Sequence, residues 1–251
     1  MESVNLRRKS IYGAAVLAVA GLAVATVGCG GGYGGGGGGG GATASYLGTI
    51  SGPAGAGGAL RVNVTSGGGG GGYGATSSSM KVLAAATESA TGTLTLSGCT
   101  VSLAGTFDGS SLALQGSGAC GTFNLAGMLS GGDIEGTASG AGKNWEFVVL
   151  PDSGSSVARV LCGTWTELQN GAPDGATGAF DLVVEGSTLA GVTLDGQNTP
   201  LLLSGTVMSG TSVTVTSQGQ TIATGTISGS GAAGTYDFDG SQGTWQGQTC
   251  P

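Results

Sequence analysis

From Thr91 onward, apolar side chains recur at every second position: Leu94 and Leu96, Val101 and Leu103, Leu112 and Leu114, Phe123 and Leu125, then Trp145, Phe147 and Val149. A period of two puts these side chains on one face of a strand and turns the intervening Ser, Thr, Gly and Ala to the other, so each run reads as a strand buried on one side. The pattern returns in the second half with Phe180, Leu182 and Val184, Val192 and Leu194, Leu201 and Leu203, Val213 and Val215, and Tyr236 and Phe238. Between the runs stand pairs such as Asp108-Gly109 and Gly131-Gly132, which supply the positive φ of tight hairpins and make successive strands antiparallel. After the leader no segment holds a helical period without glycine interruption. Lys81 to Ala86 is the one short helix-compatible stretch, and its valine and leucine suit a strand equally. The chain is therefore all-β.

The halves echo each other. Ala90-Thr91-Gly92 matches Ala176-Thr177-Gly178, and Leu103-Ala104-Gly105 matches Leu189-Ala190-Gly191. Gly136-Thr137-Ala138-Ser139-Gly140 matches Gly225-Thr226-Ile227-Ser228-Gly229, and Trp145-Glu146-Phe147 matches Tyr236-Asp237-Phe238. These collinear matches predict two duplicated antiparallel up-and-down β modules, barrel or sandwich, over residues 45–152 and 157–251. Each has about six strands, and flanking segments such as Cys162-Gly163-Thr164-Trp165 and Gly243-Thr244-Trp245 can pair to close it and remove its edges.

The first 44 residues read differently. Arg7, Arg8 and Lys9 precede an uncharged apolar run from Ile11 to Val27, the order of a secretory signal peptide over 1–28. Its end, Val27-Gly28-Cys29, resembles the lipobox of bacterial exported lipoproteins, in which the cysteine is acylated and becomes the new N-terminus. Thr26 stands where that family usually carries leucine. The resemblance implies lipidation at Cys29 and attachment to the membrane of the cell envelope through that lipid, at the outer membrane or cell surface. The alternative is ordinary cleavage after Ala23-Val24-Ala25, giving a soluble secreted or periplasmic protein. Residues 29–44 then form a tether: eleven of the thirteen residues from Cys29 to Gly41 are glycine, a flexible chain with a reach of about 20 Å. The second glycine run, Gly67 to Gly72, reads as a loop between strands.

Several functions are excluded by what the chain lacks. There is no histidine, so Ser-His-Asp and Cys-His catalysis and imidazole metal sites are out of reach. With the leader removed, four basic and thirteen acidic residues remain, a net charge of −9, and Arg61, Lys81, Lys143 and Arg159 do not neighbour one another. Such a chain repels phosphate backbones and has no stripe with which to bind nucleic acid. Apart from Cys29, the four cysteines Cys99, Cys120, Cys162 and Cys250 form an even set in an exported chain, two disulfides with three possible connectivities. The pairing Cys99–Cys120 with Cys162–Cys250 is the one expected, the first closing a strand-loop-strand segment and the second joining the start and end of the second module. No Cys-x-x-Cys marks a redox or zinc motif.

A meander of about eight short strands with Gly-x-Trp near its ends resembles calycin-type barrels and glycine-rich exported β proteins. That resemblance implies a barrel and, in the carrier members, a cup for a small hydrophobic ligand. Lipocalin-type calycins set a basic residue against the tryptophan, and Trp165 and Trp245 have no evident counterpart. Other chemistry is thin. Asp237 and Asp239 with Gln248 make an incomplete calcium loop, better read as a polar face beside a core Phe238. Asp133 and Glu135 share a strand face and are the best carboxylate pair for a hydrolase, although an exposed face is the commoner meaning. Trp145, Trp165 and Trp245 fit core filling or a ligand cup. The expectation is a non-catalytic envelope module without a cofactor, structural or interacting with an envelope protein or polysaccharide. A carrier of a small hydrophobic ligand is the alternative.

Overall fold

The computed structural model describes residues 43–66, 87–155, 158–173, 175–194 and 199–250. The leader, Cys29, the tether as far as Ala42, the Gly67 to Gly72 run and Lys81 to Ala86 lie outside them, whereas Thr43 and Ala44, assigned to the tether, belong to the first strand. Among the described residues there are sixteen strands, one 3-10 turn at Pro53–Gly55 and no α-helix. Strands β1 (Thr43–Gly52), β2 (Ala56–Thr65), β3 (Glu88–Leu96), β4 (Cys99–Phe107), β5 (Ser111–Gly118), β6 (Gly121–Ser130), β7 (Asp133–Gly140) and β8 (Lys143–Pro151) close into one barrel. Strands β9 (Arg159–Glu167), β10 (Thr177–Glu185), β11 (Thr188–Leu194), β12 (Pro200–Met208), β13 (Ser212–Ser217), β14 (Gln220–Ser228), β15 (Gly231–Phe238) and β16 (Ser241–Thr249) close into a second. Every neighbouring pair is antiparallel. Trp165 and Trp245 face each other where β9 and β16 shut the second barrel, as the two Gly-Thr-Trp segments predicted.

The register fixes the bore. From Thr43 on β1, successive cross-strand partners run through Thr65, Ser89, Thr106, Ala113, Ala126 and Thr137 to Glu146 on β8. The partner of Glu146 back on β1 is Ser51, eight residues from the start. The second barrel gives the same figure. Thr177 on β10 leads through Thr166, Thr244, Thr235, Thr224, Thr214 and Thr206 to Thr188, whose partner on β10 is Glu185, again eight residues on. Eight strands with a shear of eight tilt by about 36°, and at the usual strand spacing they enclose a backbone radius of only about 7–8 Å. Side chains fill such a bore.

That narrowness accounts for much of the glycine. Inward-facing glycines lie under aromatic rings: a Cβ on Gly52 would strike Trp145, one on Gly140 would strike Phe123, and one on Gly178 would strike Trp165. On Gly127 it would come within 2.7 Å of the Phe147 ring, and on Gly234 within 2.7 Å of Trp245. Large and small residues alternate around the bore because no other packing fits a ring across it. Phe123 tilts against Trp145 at 5.8 Å in the first barrel, and Phe180 meets Trp245 edge-on at 5.6 Å in the second.

One expectation is met in count and one needs correction. Each module has eight strands, the six or so read from alternation together with flanking strands such as β9 and β16 that close the circuit. The echoed motifs, however, fall on β3 and β10, β4 and β11, β7 and β14, and β8 and β15, seven strands apart, whereas the barrels repeat every eight. Their registers differ too: Gly92 pairs with Leu103, but the equivalent Leu189 pairs with Val184 rather than with Gly178. The duplication is one of architecture, and the echoes reflect the recurring Gly and Thr of strands built to the same bore.

Both barrels belong to one compact unit. They join along strands buried on both faces. Leu47 to Gly52 on β1, Phe147 to Leu150 on β8, Phe180 to Glu185 on β10 and Leu189 to Val192 on β11 are buried without alternation. Ile50, Phe147 and Val149 point into the first barrel and Leu161, Leu182 and Val184 into the second, whereas Leu47, Val148, Leu150, Val160, Val183, Ala190 and Val192 form a third apolar cluster between them. Val192, expected to face the core of its own module, lines this seam instead.

Candidate functional site

The seam collects nearly all the buried polarity of the described residues. Of the five buried polar residues, Thr49, Ser51, Asp181 and Glu185 lie on the seam faces of β1 and β10, and only Ser217 lies elsewhere. Period two explains the placement: Phe180, Leu182 and Val184 face inward on β10, so Asp181, Val183 and Glu185 face the first barrel. Asp181 is 3% exposed and accepts a hydrogen bond from Ser51 Oγ across the seam. Gly57 on β2 stands against its carboxyl group, where a Cβ would leave no room. Burial pushes the Asp181 carboxyl up to about 7, only partly offset by the Ser51 hydrogen bond. Glu185 accepts from the backbone N–H of Ser153 at 3.0 Å and from Ser153 Oγ, while its second oxygen, Oε2, is buried without a partner.

Beside Asp181 lies a disulfide. Both expected bridges are present: Cys99–Cys120, with Cα atoms 6.0 Å apart, and Cys162–Cys250, with Cα atoms 5.1 Å apart. They place the folded chain in an oxidising compartment. Cys162 is the cross-strand partner of Asp181 on one side and of Gln248 on the other. The carboxyl oxygen of Asp181 and the two sulfurs lie within 4.8 Å of one another. Cys250 packs against the seam cluster and its N–H donates to Val160 O at 2.9 Å. On its other side Cys162 borders an open hollow of about 680 Å³ on the outer face of the second barrel, lined by Thr164, Thr226, Ser228, Ala233, Gln246 and Gln248 among others.

The residues singled out from sequence are dispersed. Cys29 lies outside the described residues. Asp133 and Glu135 do share the outer face of β7, and both carboxyls are raised, Asp133 by burial and Glu135 by burial and then by the charge of Asp133. Asp237 and Asp239 do not share a face: Asp239 sits in the β15–β16 turn with φ 52°, and Asp237 accepts a 2.8 Å hydrogen bond from Gln242. Phe238 is 38% exposed at the end of β15, not in the core. The three tryptophans fill the bores, and their indole N–H groups donate to backbone carbonyls: Trp145 to Gly140, Trp165 to Leu194, and Trp245 to Thr224 and Thr235.

Sequence reasoning missed the seam carboxylates because Asp181 and Glu185 occupy polar positions of an alternating strand and so look solvated. The available signal was the loss of alternation beside them, Phe147-Val148-Val149-Leu150 and Leu182-Val183-Val184, which marks strands covered on both faces.

No protein-family model matches the chain, and no curated protein matches it. A crystal structure from Nitrosomonas europaea, of a protein described as a candidate AttH, aligns with 82% of this chain and 92% of its own at 11% identity, with a TM-score of 0.22. A superposition that poor assigns neither fold nor activity to this chain.

Proposed function

We propose that this is an exported cell-envelope protein, held to a membrane by a lipid on Cys29, whose paired barrels act as a non-catalytic structural or interaction module. The observation that carries the reading is the filling of both bores. A shear of eight leaves room for side chains alone, and Phe123, Phe147, Leu60, Leu94 and Leu112 occupy the first bore with Phe180, Leu182, Leu189 and Trp245 in the second. A carrier would need an apolar cup of a few hundred Å³ in one of these interiors. Closed barrels also present no strand edge to a neighbouring chain, which suits a module displayed in the envelope on a glycine tether. Two disulfides agree with export, and among the described residues no helix is long and apolar enough to cross a membrane.

Mass spectrometry of the mature protein from its own envelope tests both parts. An N-terminus at acylated Cys29 and no retained small molecule are expected. A free N-terminus at Thr26 refutes the anchor, and a stoichiometric apolar ligand refutes the non-carrier reading.

A further inference from the structure

We propose that Cys162–Cys250 is an exchangeable disulfide in which the Asp181 carboxyl donates a proton to the thiolate that leaves when an external thiol attacks Cys162. This goes beyond the envelope-module reading and does not conflict with it, because each chain reacts once per disulfide and does not turn over.

Three placements meet at this bond. Cys162 is half-buried and is one of the residues lining the open hollow, the side from which the attacking thiolate comes. Asp181 stands opposite Cys162 on the neighbouring strand, 3% exposed, with its carboxyl oxygen within 4.8 Å of both sulfurs. Cys250 lies just past β16, outside the paired strands, so the residue that departs is tied to the barrel by one backbone hydrogen bond, its N–H to Val160 O, and by packing on the seam cluster.

The step balances. The thiolate RS⁻ forms a bond to Cys162 Sγ while the Cys162–Cys250 bond breaks, and the electron pair of that bond stays on Cys250 Sγ. Cys250 Sγ takes the proton from Asp181, leaving a mixed disulfide, a thiol and a carboxylate. A second thiolate releases RSSR, Cys162 and Asp181 regain protons from water, and two thiols have been oxidised while one disulfide became two thiols. The departing group of a thiol–disulfide exchange leaves faster when its charge is relieved. Burial favours a carboxyl that still holds its proton near neutrality, the condition a donor must meet.

Ser51 of β1 and Gly57 of β2 face the carboxyl, and neither ionises. The ionisable side chains on the elements packed here are Tyr46 on β1, Arg61 on β2, Lys143 and Glu146 on β8, Arg159 and Glu167 on β9, and Glu185 on β10, with none on β11 or β16. None of them shifts Asp181, which burial raises and Ser51 lowers.

Cys99–Cys120 serves as a reference within the same chain, since no carboxylate groups with its sulfurs among the described residues. The intact protein is treated with dithiothreitol across a pH series, quenched in acid and alkylated, and each bridge is followed by mass spectrometry. The rate ratio of Cys162–Cys250 to Cys99–Cys120 is expected to be constant below about pH 7 and to fall about tenfold per pH unit above it. In Asp181→Asn the break vanishes, and at about pH 5.5 the ratio drops roughly tenfold or more. In Ser51→Ala, which keeps the donor and removes the hydrogen bond that lowers it, the break moves to higher pH. A ratio independent of pH in the native protein overturns the proposal. So does an Asp181→Asn ratio equal to the native one at the acid end, which would mean that the carboxylate acts by charge alone.

Discussion

The buried carboxyl of Asp181 makes stability depend on pH in a direction opposite to that of most acidic groups. In the unfolded chain it ionises near 3.8; in the folded chain it holds its proton to about 7. Between these values the folded state binds a proton that the unfolded state has released, so stability is greatest below the unfolded value and falls as pH rises through the window. About three pH units at 1.36 kcal/mol each correspond to about 4 kcal/mol lost by pH 8. Asp108 works the other way: its carboxyl is held below the ordinary range by hydrogen bonds from Ser110 and Ser111, so its contribution is present above the unfolded value and lost in acid. Raised Asp133, Glu135 and Glu146 follow Asp181 in sign. A comparison with Asp181→Asn isolates one group from the rest, since the carboxamide keeps the shape and an acceptor for Ser51 but cannot ionise. Urea unfolding of both proteins, with disulfides intact, is the assay. Any cost of burying the second amide N–H is independent of pH, so the measured quantity is the change in the native-minus-variant difference between about pH 4 and pH 8, expected to be about 4 kcal/mol in favour of the variant. A difference that stays constant over that range would mean that Asp181 ionises normally and that the seam is wet.

Other expectations follow from the bore and the bridges. Gly140→Ala puts a methyl group into the Phe123 ring and is expected to lower stability by roughly 1–3 kcal/mol. In a thermal-melt double-mutant cycle with Phe123→Ala, the combined loss should fall short of the sum by about 1 kcal/mol or more, and strict additivity would deny the contact. Replacing Cys99 and Cys120 together by alanine opens a loop of sequence separation 21 and should cost about 3 kcal/mol, against about 4.5 kcal/mol for Cys162 and Cys250 at separation 88. Denaturation midpoints that rank the two pairs in the reverse order would show that seam strain outweighs loop entropy.

The parts of the fold legible in the sequence were those governed by one physical rule at a time. Alternation at Leu94 and Leu96 or Val213 and Val215 identifies a strand because only one face is dry, and the expected disulfides came from the even count, one closing a short segment and the other joining the ends of the second module. Where two rules superpose, the reading degrades. β1 shows no clean alternation because Leu47 and Thr49 face the other barrel while Tyr46 and Ile50 face their own, so no strand could be drawn there even though the first module was placed from residue 45. Shear is invisible for a different reason: it is a property of pairing around a closed circuit, and no local window contains it.

The location of the chemistry follows from the same constraint that defeated the pattern. The bores are packed with apolar side chains and with tryptophans whose N–H groups meet backbone carbonyls, the Tyr236 hydroxyl in the second being buried without a partner, and the outward faces of the free strands carry hydroxyls and amides open to water. Only between the barrels can a carboxyl be withdrawn from water and still meet a donor from another element, as Ser51 meets Asp181 and Ser153 meets Glu185. Joining two filled barrels side by side thus creates, among the described residues, the environment in which burial raises an acid, Asp181, to about 7. The Cys162–Cys250 bridge lies within reach of that acid because β9 and β10 are neighbours in register.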